Sequence, residues 1–149
     1  MLIRDVVEEV DRTFFTLEGS KTVEEAIALM NEKETNALIV YENDQPVGIF
    51  TERDVLACYI KLEGKSFNDV KLSDAMTSKL VIAKPEDELA PTISMMTKLD
   101  IRHLPVMEEG KITSLLYICD LVQSQVGILS SELRYLEDYL ADLQEAVTD

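Results

Sequence analysis

Ala37-Leu38-Ile39-Val40-Tyr41, Glu42-Asn43-Asp44-Gln45 and Val47-Gly48-Ile49-Phe50-Thr51-Glu52-Arg53-Asp54 form the stretch that decides the fold. An unbroken apolar run of this length, closed by a polar turn, reads as a buried strand entering a hairpin. Val47–Phe50 is the returning strand, and Thr51 starts a helix toward Lys61. Working backward, Thr22 stands three residues before Glu25, the spacing of a capping box. Val23, Ala26, Ile27 and Met30 then recur at helical intervals. Phe14-Phe15-Thr16-Leu17 is a short β-prone run ahead of the turn-like Glu18-Gly19-Ser20-Lys21. The order is β-α-β-β-α.

The order occurs twice. Shifted by 66 positions, Thr22–Leu56 aligns with Glu88–Val122 without a gap. Ile27 falls on Ile93, Met30 on Met96, Leu38 on Leu104, Val40 on Val106 and Asp54 on Asp120. A looser match, at an offset of 69, sets Ile3–Val7 against Leu72–Met76. The second copy predicts a strand at Leu80–Ala83, a helix from about Glu86, a strand at Leu104–Met107, a turn at Glu108-Glu109-Gly110, a strand from Ile112 to Tyr117 and a final helix. The polar, glycine-bearing Glu63–Asp69 joins the copies. Searching for repeats first is decisive, because one copy is too short to build a large core and two packed together are not.

The chain has 149 residues, 46% of them hydrophobic, and a net charge of −15 from 29 acidic and 14 basic side chains. A chain of this size buries about 68–70% of its unfolded surface, enough for one domain or two half-sized units. The acidic balance disfavours nucleic acid and anionic membrane surfaces as partners. No apolar run approaches the roughly 18 residues of a membrane span, and Met1-Leu2-Ile3-Arg4-Asp5 turns charged at once, unlike a signal peptide. A cytoplasmic protein is expected. Cys58, Cys119 and His103 are the only thiol or imidazole ligands, too few for a zinc site. Each cysteine reads as a buried reduced thiol. No nucleophile elbow, Walker sequence or dinucleotide fingerprint occurs, so neither an enzyme nor a bound cofactor is expected.

The doubled unit, with Gly48-Ile49-Phe50-Thr51-Glu52-Arg53-Asp54 in one copy and Ile101-Arg102-His103-Leu104-Pro105-Val106 in the other, resembles the tandem CBS domain, often called a Bateman module. The resemblance covers residues 1 to about 127. It implies an α/β (α+β) fold of two CBS-type units, 1–63 and 64–127, related by a pseudo-twofold axis. Residues 128–149 then form a C-terminal amphipathic helix. It also implies a cleft between the copies that takes an adenosine-containing ligand such as AMP, ADP or ATP. Gly48 would permit close approach, Thr51 and the helix start would receive phosphate, and Arg53 would add a fixed charge. Asp54 would accept the ribose hydroxyls, while Arg102, His103 and Pro105 would contribute from the second copy. A plainer reading stands beside this one: Thr51-x-x-Asp54 is itself a capping box, and a lone histidine is often structural.

The second motif departs from the first. Ser114 stands where Gly48 does, Tyr117 replaces Thr51 and Cys119 replaces Arg53, while Asp120 remains. Tyr117 and Asp120 therefore mark a weaker second cleft, with Tyr117 filling the cavity or stacking on a base. Beyond the repeat, Val122, Val126, Leu129, Leu133, Leu136, Leu140, Leu143 and Val147 form a heptad seam, with Gly127 as a place to bend. The seam either folds back on its own domain or meets a second subunit; in a parallel pair Glu132 and Glu137 would oppose each other. The leading expectation is a regulatory homodimer that binds a nucleotide and signals to an effector protein. The alternative is a scaffolding homodimer with a vestigial cleft.

Overall fold

The computed structural model describes residues 1–148, so Asp149, the last acid of the tail, lies outside the described residues. In chain order the elements are α1 (Ile3–Val10), β1 (Thr16–Glu18), α2 (Val23–Glu32), β2 (Ala37–Glu42), β3 (Gln45–Thr51), α3 (Glu52–Ile60), α4 (Leu72–Ala75), α5 (Leu89–Leu99), β4 (His103–Glu108), β5 (Lys111–Tyr117) and α6 (Ile118–Thr148), with a short 3-10 turn at Phe67–Asp69. This is a mixed α/β chain with a three-stranded sheet ordered β1-β2-β3 and a two-stranded sheet β4-β5. Thr22 caps α2 as its spacing predicts: its hydroxyl accepts the Glu25 N–H at 3.2 Å, and Glu25 accepts the Thr22 N–H at 2.9 Å. Among the described residues no helix is long and apolar enough to cross a membrane.

Two compact units form, and neither is contiguous in sequence. One holds Arg12–Ile82 with Pro105–Leu115; the other holds Met1–Asp11, Ala83–Leu104 and the chain from Leu116. This grouping differs from a division at residue 63.

In the first of these units β1 runs parallel to β2, with Thr16 opposite Ile39, and β2 pairs antiparallel with β3. Asn43 and Asp44 make the hairpin turn in the left-handed region, at φ 50 and 59, which suits short polar side chains. Val40 pairs with Gly48 but Tyr41 with Pro46, so Val47 bulges out of register. The apolar run of β2 is continuous because both of its faces are covered, Ala37 to Val40 all being buried. The core joins Val23, Ala26 and Met30 of α2 to Leu38 and Val40 of β2, Phe50 of β3, Cys58 of α3 and Leu72 of α4. Burial pushes the Cys58 thiol pKa up, against a weaker downward pull from Lys61.

The looser repeat match explains the grouping. Within the unit just described, the α4 segment docks on the start of α2: Leu72 N–H donates to Lys21 O, Ser73 N–H to Gly19 O and Val23 N–H to Val70 O. Within the other unit, the α1 segment docks on the start of α5 through the equivalent bonds: Ile3 N–H to Asp87 O, Arg4 N–H to Pro85 O and Leu89 N–H to Met1 O. Each leading segment thus serves the helix of the other repeat copy. Ile3 and Val6 of α1 are fully buried, as are Met96, Leu104, Leu116 and Leu121 in the same unit.

Four expectations are corrected. Leu80–Ala83 forms no strand, although its counterpart supplies β1. Ile39 N–H donates to Phe15 O at 3.0 Å, but the residue 66 positions on is Pro105, which has no N–H to give. The helix expected from Glu86 begins at Leu89, because Asp87 instead closes a turn by accepting the Lys84 N–H at 2.8 Å. α6 continues unbroken through Gly127, from Ile118 to Thr148, rather than breaking there into a separate tail. Cys119 is exposed rather than buried, because it shares the outer face of α6 with Val122 and Val126 while Leu121 turns inward.

Candidate functional site

The first motif sits where β3 hands over to α3. Thr51 is extended, and its N–H donates to Asp54 Oδ2 at 2.9 Å, with the Thr51 hydroxyl 3.4 Å from the same oxygen. The Thr77 hydroxyl donates to Asp54 Oδ1 at 2.9 Å. The Asp54 half of the capping box is therefore in place, with the carboxylate holding the Thr51 N–H. It does not exhaust the carboxylate, because each oxygen carries two lone pairs and Asp54 is only half-buried. Arg53 is exposed on the first turn of α3. Glu52 and Asp54 place two carboxylates on that turn, which suits the helix dipole but sets negative charge beside any incoming phosphate.

Gly48 is buried for a reason the sequence did not disclose. A Cβ there would lie 2.7 Å from both Met76 Sδ and Thr77 O. The close approach is made by the Met76-Thr77 segment, held by Ile49 N–H to Thr77 O at 3.0 Å and Thr77 N–H to Ile49 O at 2.9 Å. Thr77 is the site residue that sequence reasoning missed. Position 8, its counterpart at the offset of 69, is a glutamate, so the repeat carries no signal for it.

The second motif repeats the framework with different side chains. Tyr117 N–H donates to Asp120 Oδ2 at 2.8 Å, matching Thr51 and Asp54. Ile118 N–H donates to Arg102 O at 2.8 Å, as Glu52 N–H donates to Asn36 O at 3.3 Å. The His103 and Tyr117 rings meet edge to face with centroids 5.0 Å apart. The repeat held a signal for this contact: His103 and Tyr117 align with Ala37 and Thr51, which are register partners in the first hairpin. Asp120 and Ser114 are buried, Pro105 is buried in β4, and Arg102 is exposed. Gly48, Thr51, Arg53, Asp54 and Pro105 thus belong to one compact unit, and Arg102, His103, Tyr117 and Asp120 to the other.

Comparison with known proteins agrees with this doubled framework. The CBS domain family matches residues 3–61 and 72–127. CBS domain-containing protein CBSX3, mitochondrial, of Arabidopsis thaliana is 33% identical over 124 residues, covering 80% of this chain and 60% of that protein. The uncharacterized protein MK0525 of Methanopyrus kandleri is 27% identical over 109 residues, covering 70% of this chain and 55% of its own length. The chain therefore spans little more than half the length of these relatives. Among solved structures, a protein from Burkholderia ambifaria MC40-6, described as signal-transducing with CBS domains, superposes with a TM-score of 0.75 at 32% identity. That superposition covers 85% of this chain and 95% of that one. With both copies matched and the repeated strand-to-helix framework in place, the chain belongs to the CBS-domain family and carries two CBS domains in tandem.

Proposed function

We propose that this chain is a regulatory module that binds one adenosine-containing nucleotide, read by residues of both CBS repeats, and reports it as a homodimer to an effector protein. The observation that carries the reading is the difference between the two strand-to-helix junctions. At the first, a hydroxyl and a half-buried carboxylate stand at the start of α3 beside Arg53. At the second, the equivalent hydroxyl is replaced by Tyr117, whose ring lies against His103. Asp54 has spare acceptor capacity for ribose hydroxyls. Thr51 and the α3 N-terminus suit a phosphate, and Arg53, Arg102 and His103 supply cationic or donor groups on an otherwise acidic chain. Pro105 adds an apolar surface. Asp120 lies buried under its own cap, so the second motif contributes less. The signal-transducing description of the Burkholderia relative supports a regulatory role over a catalytic one.

Calorimetric titration with adenosine, AMP, ADP and ATP tests this. One site per chain is expected. Asp54→Ala should weaken binding about 10- to 150-fold, the equivalent of a charged hydrogen bond of roughly 1.5–3 kcal/mol, while Asp120→Ala leaves it nearly unchanged. Arg102→Ala should weaken AMP and ATP far more than adenosine. If none of the four binds, the scaffolding homodimer becomes the better reading, and the exposed seam of α6 favours it.

A further inference from the structure

We propose that α6 pairs antiparallel with α6 of a second copy, setting Val122 against Val147, Val126 against Leu143, Leu129 against Leu140 and Leu133 against Leu136. The proposal is independent of nucleotide binding and deepens only the homodimer. Its basis is a continuous and largely exposed apolar stripe. The eight seam residues are 41–85% exposed, from Val122 near the base of the helix to Val147 at its end. The side that meets the chain's own unit is a different one: Leu121 is buried, and the Ser124 hydroxyl donates to Glu9 at 2.9 Å. The helix is unbroken to Thr148, so the seam does not turn back on its own unit. It runs about 38 Å at roughly 1.5 Å per residue.

A second copy is the fitting occupant because the stripe is complementary to itself. With Val126, Leu133, Leu140 and Val147 at heptad position a, and Val122, Leu129, Leu136 and Leu143 at d, the register above matches every a with a d and leaves no seam residue uncovered. The flanking charges select the direction. A parallel pair sets Glu132 against Glu137 of the other helix, twice. The antiparallel register sets Glu132 beside Tyr139 and Glu137 beside Ser130. Sliding the antiparallel pair by one heptad either way brings Glu132 or Glu137 against its own copy and strands part of the seam. Covering both stripes removes on the order of 1,000 Å², the size at which a specific interface begins, before Tyr139 and Gln125 are counted.

Cysteine cross-linking in the full chain tests direction and register together. In a background with Cys58→Ala and Cys119→Ala, Val126→Cys and Leu143→Cys are made as separate proteins and allowed to exchange subunits under mild oxidation. The mixture should give a disulfide-linked dimer on a non-reducing gel, and neither protein alone should. Leu129→Cys with Leu140→Cys should repeat the pattern, and thermal melting checks that each variant folds. Self-linking by a single variant means a parallel pair and overturns the proposal. Absence of mixed linking by both pairs also overturns it. If light scattering then still shows a dimer, another face makes the homodimer and that part of the functional reading survives; a monomer removes both.

Discussion

Gly48 shows how much a residue's role depends on a partner far away in the sequence. Its φ is not left-handed, so conformational freedom is not what the position needs; space is. The Met76 side chain could swing aside from an added methyl group, but Thr77 O is backbone, and it accepts the Ile49 N–H while the Thr77 N–H donates to Ile49 O. Gly48→Ala should therefore force a backbone shift and lower stability by about 1–3 kcal/mol, as overpacking does, measured by urea unfolding without ligand. An unchanged midpoint would mean that the Met76-Thr77 segment moves freely. The Gly48-to-Asp54 letters were legible as a motif. That Asp54 also holds Thr77 was not, because nothing local to either residue marks the other.

At the scale of elements, what could be read was what is local. The Thr22–Glu25 box, the Asn43-Asp44 turn and the helical spacing of α2 each lie within one span of chain, and each appears as expected. Leu80–Ala83 had the composition of a strand but depended on an N–H that Pro105 cannot supply, so its local preference is reduced to a single bridge residue at Ala83. The continuity of α6 turns on a similar balance. One glycine in a helix interior costs about 0.8–1 kcal/mol relative to alanine, too little to break a helix that continues for several turns on both sides. Beyond its own stretch of helix, among the described residues, an added methyl group at Gly127 would meet nothing within 4 Å. Gly127→Ala should therefore raise stability by roughly 0.5–1 kcal/mol in thermal or urea unfolding while leaving the oligomeric state as it was. A loss of stability would mean that the helix is bent there in solution.

For the molecule as a whole, the repeat was visible but the pairing of its parts was not. The 66-residue offset shows that the two copies share a plan; it does not say which leading segment docks on which helix. The separate offset of 69 was the trace of that arrangement, since a leading segment that shifts independently of its own copy is free to serve the other. The bonds from Ile3 to Asp87 and from Leu72 to Lys21 give the answer in repeated form. A deletion makes the consequence measurable. Removing residues 1–11 takes away Ile3 and Val6, both fully buried, at about 1.5–3 kcal/mol each, or roughly 3–6 kcal/mol against a typical total of 5–15 kcal/mol. The melting transition should fall or split. Limited proteolysis should then cut first within residues 83–104, where the partners of α1 lie, even though the deletion abuts Arg12 in the chain. Earliest cuts between Thr22 and Ile60 would show instead that the first leading segment supports its own copy, and the exchanged pairing would have to be abandoned.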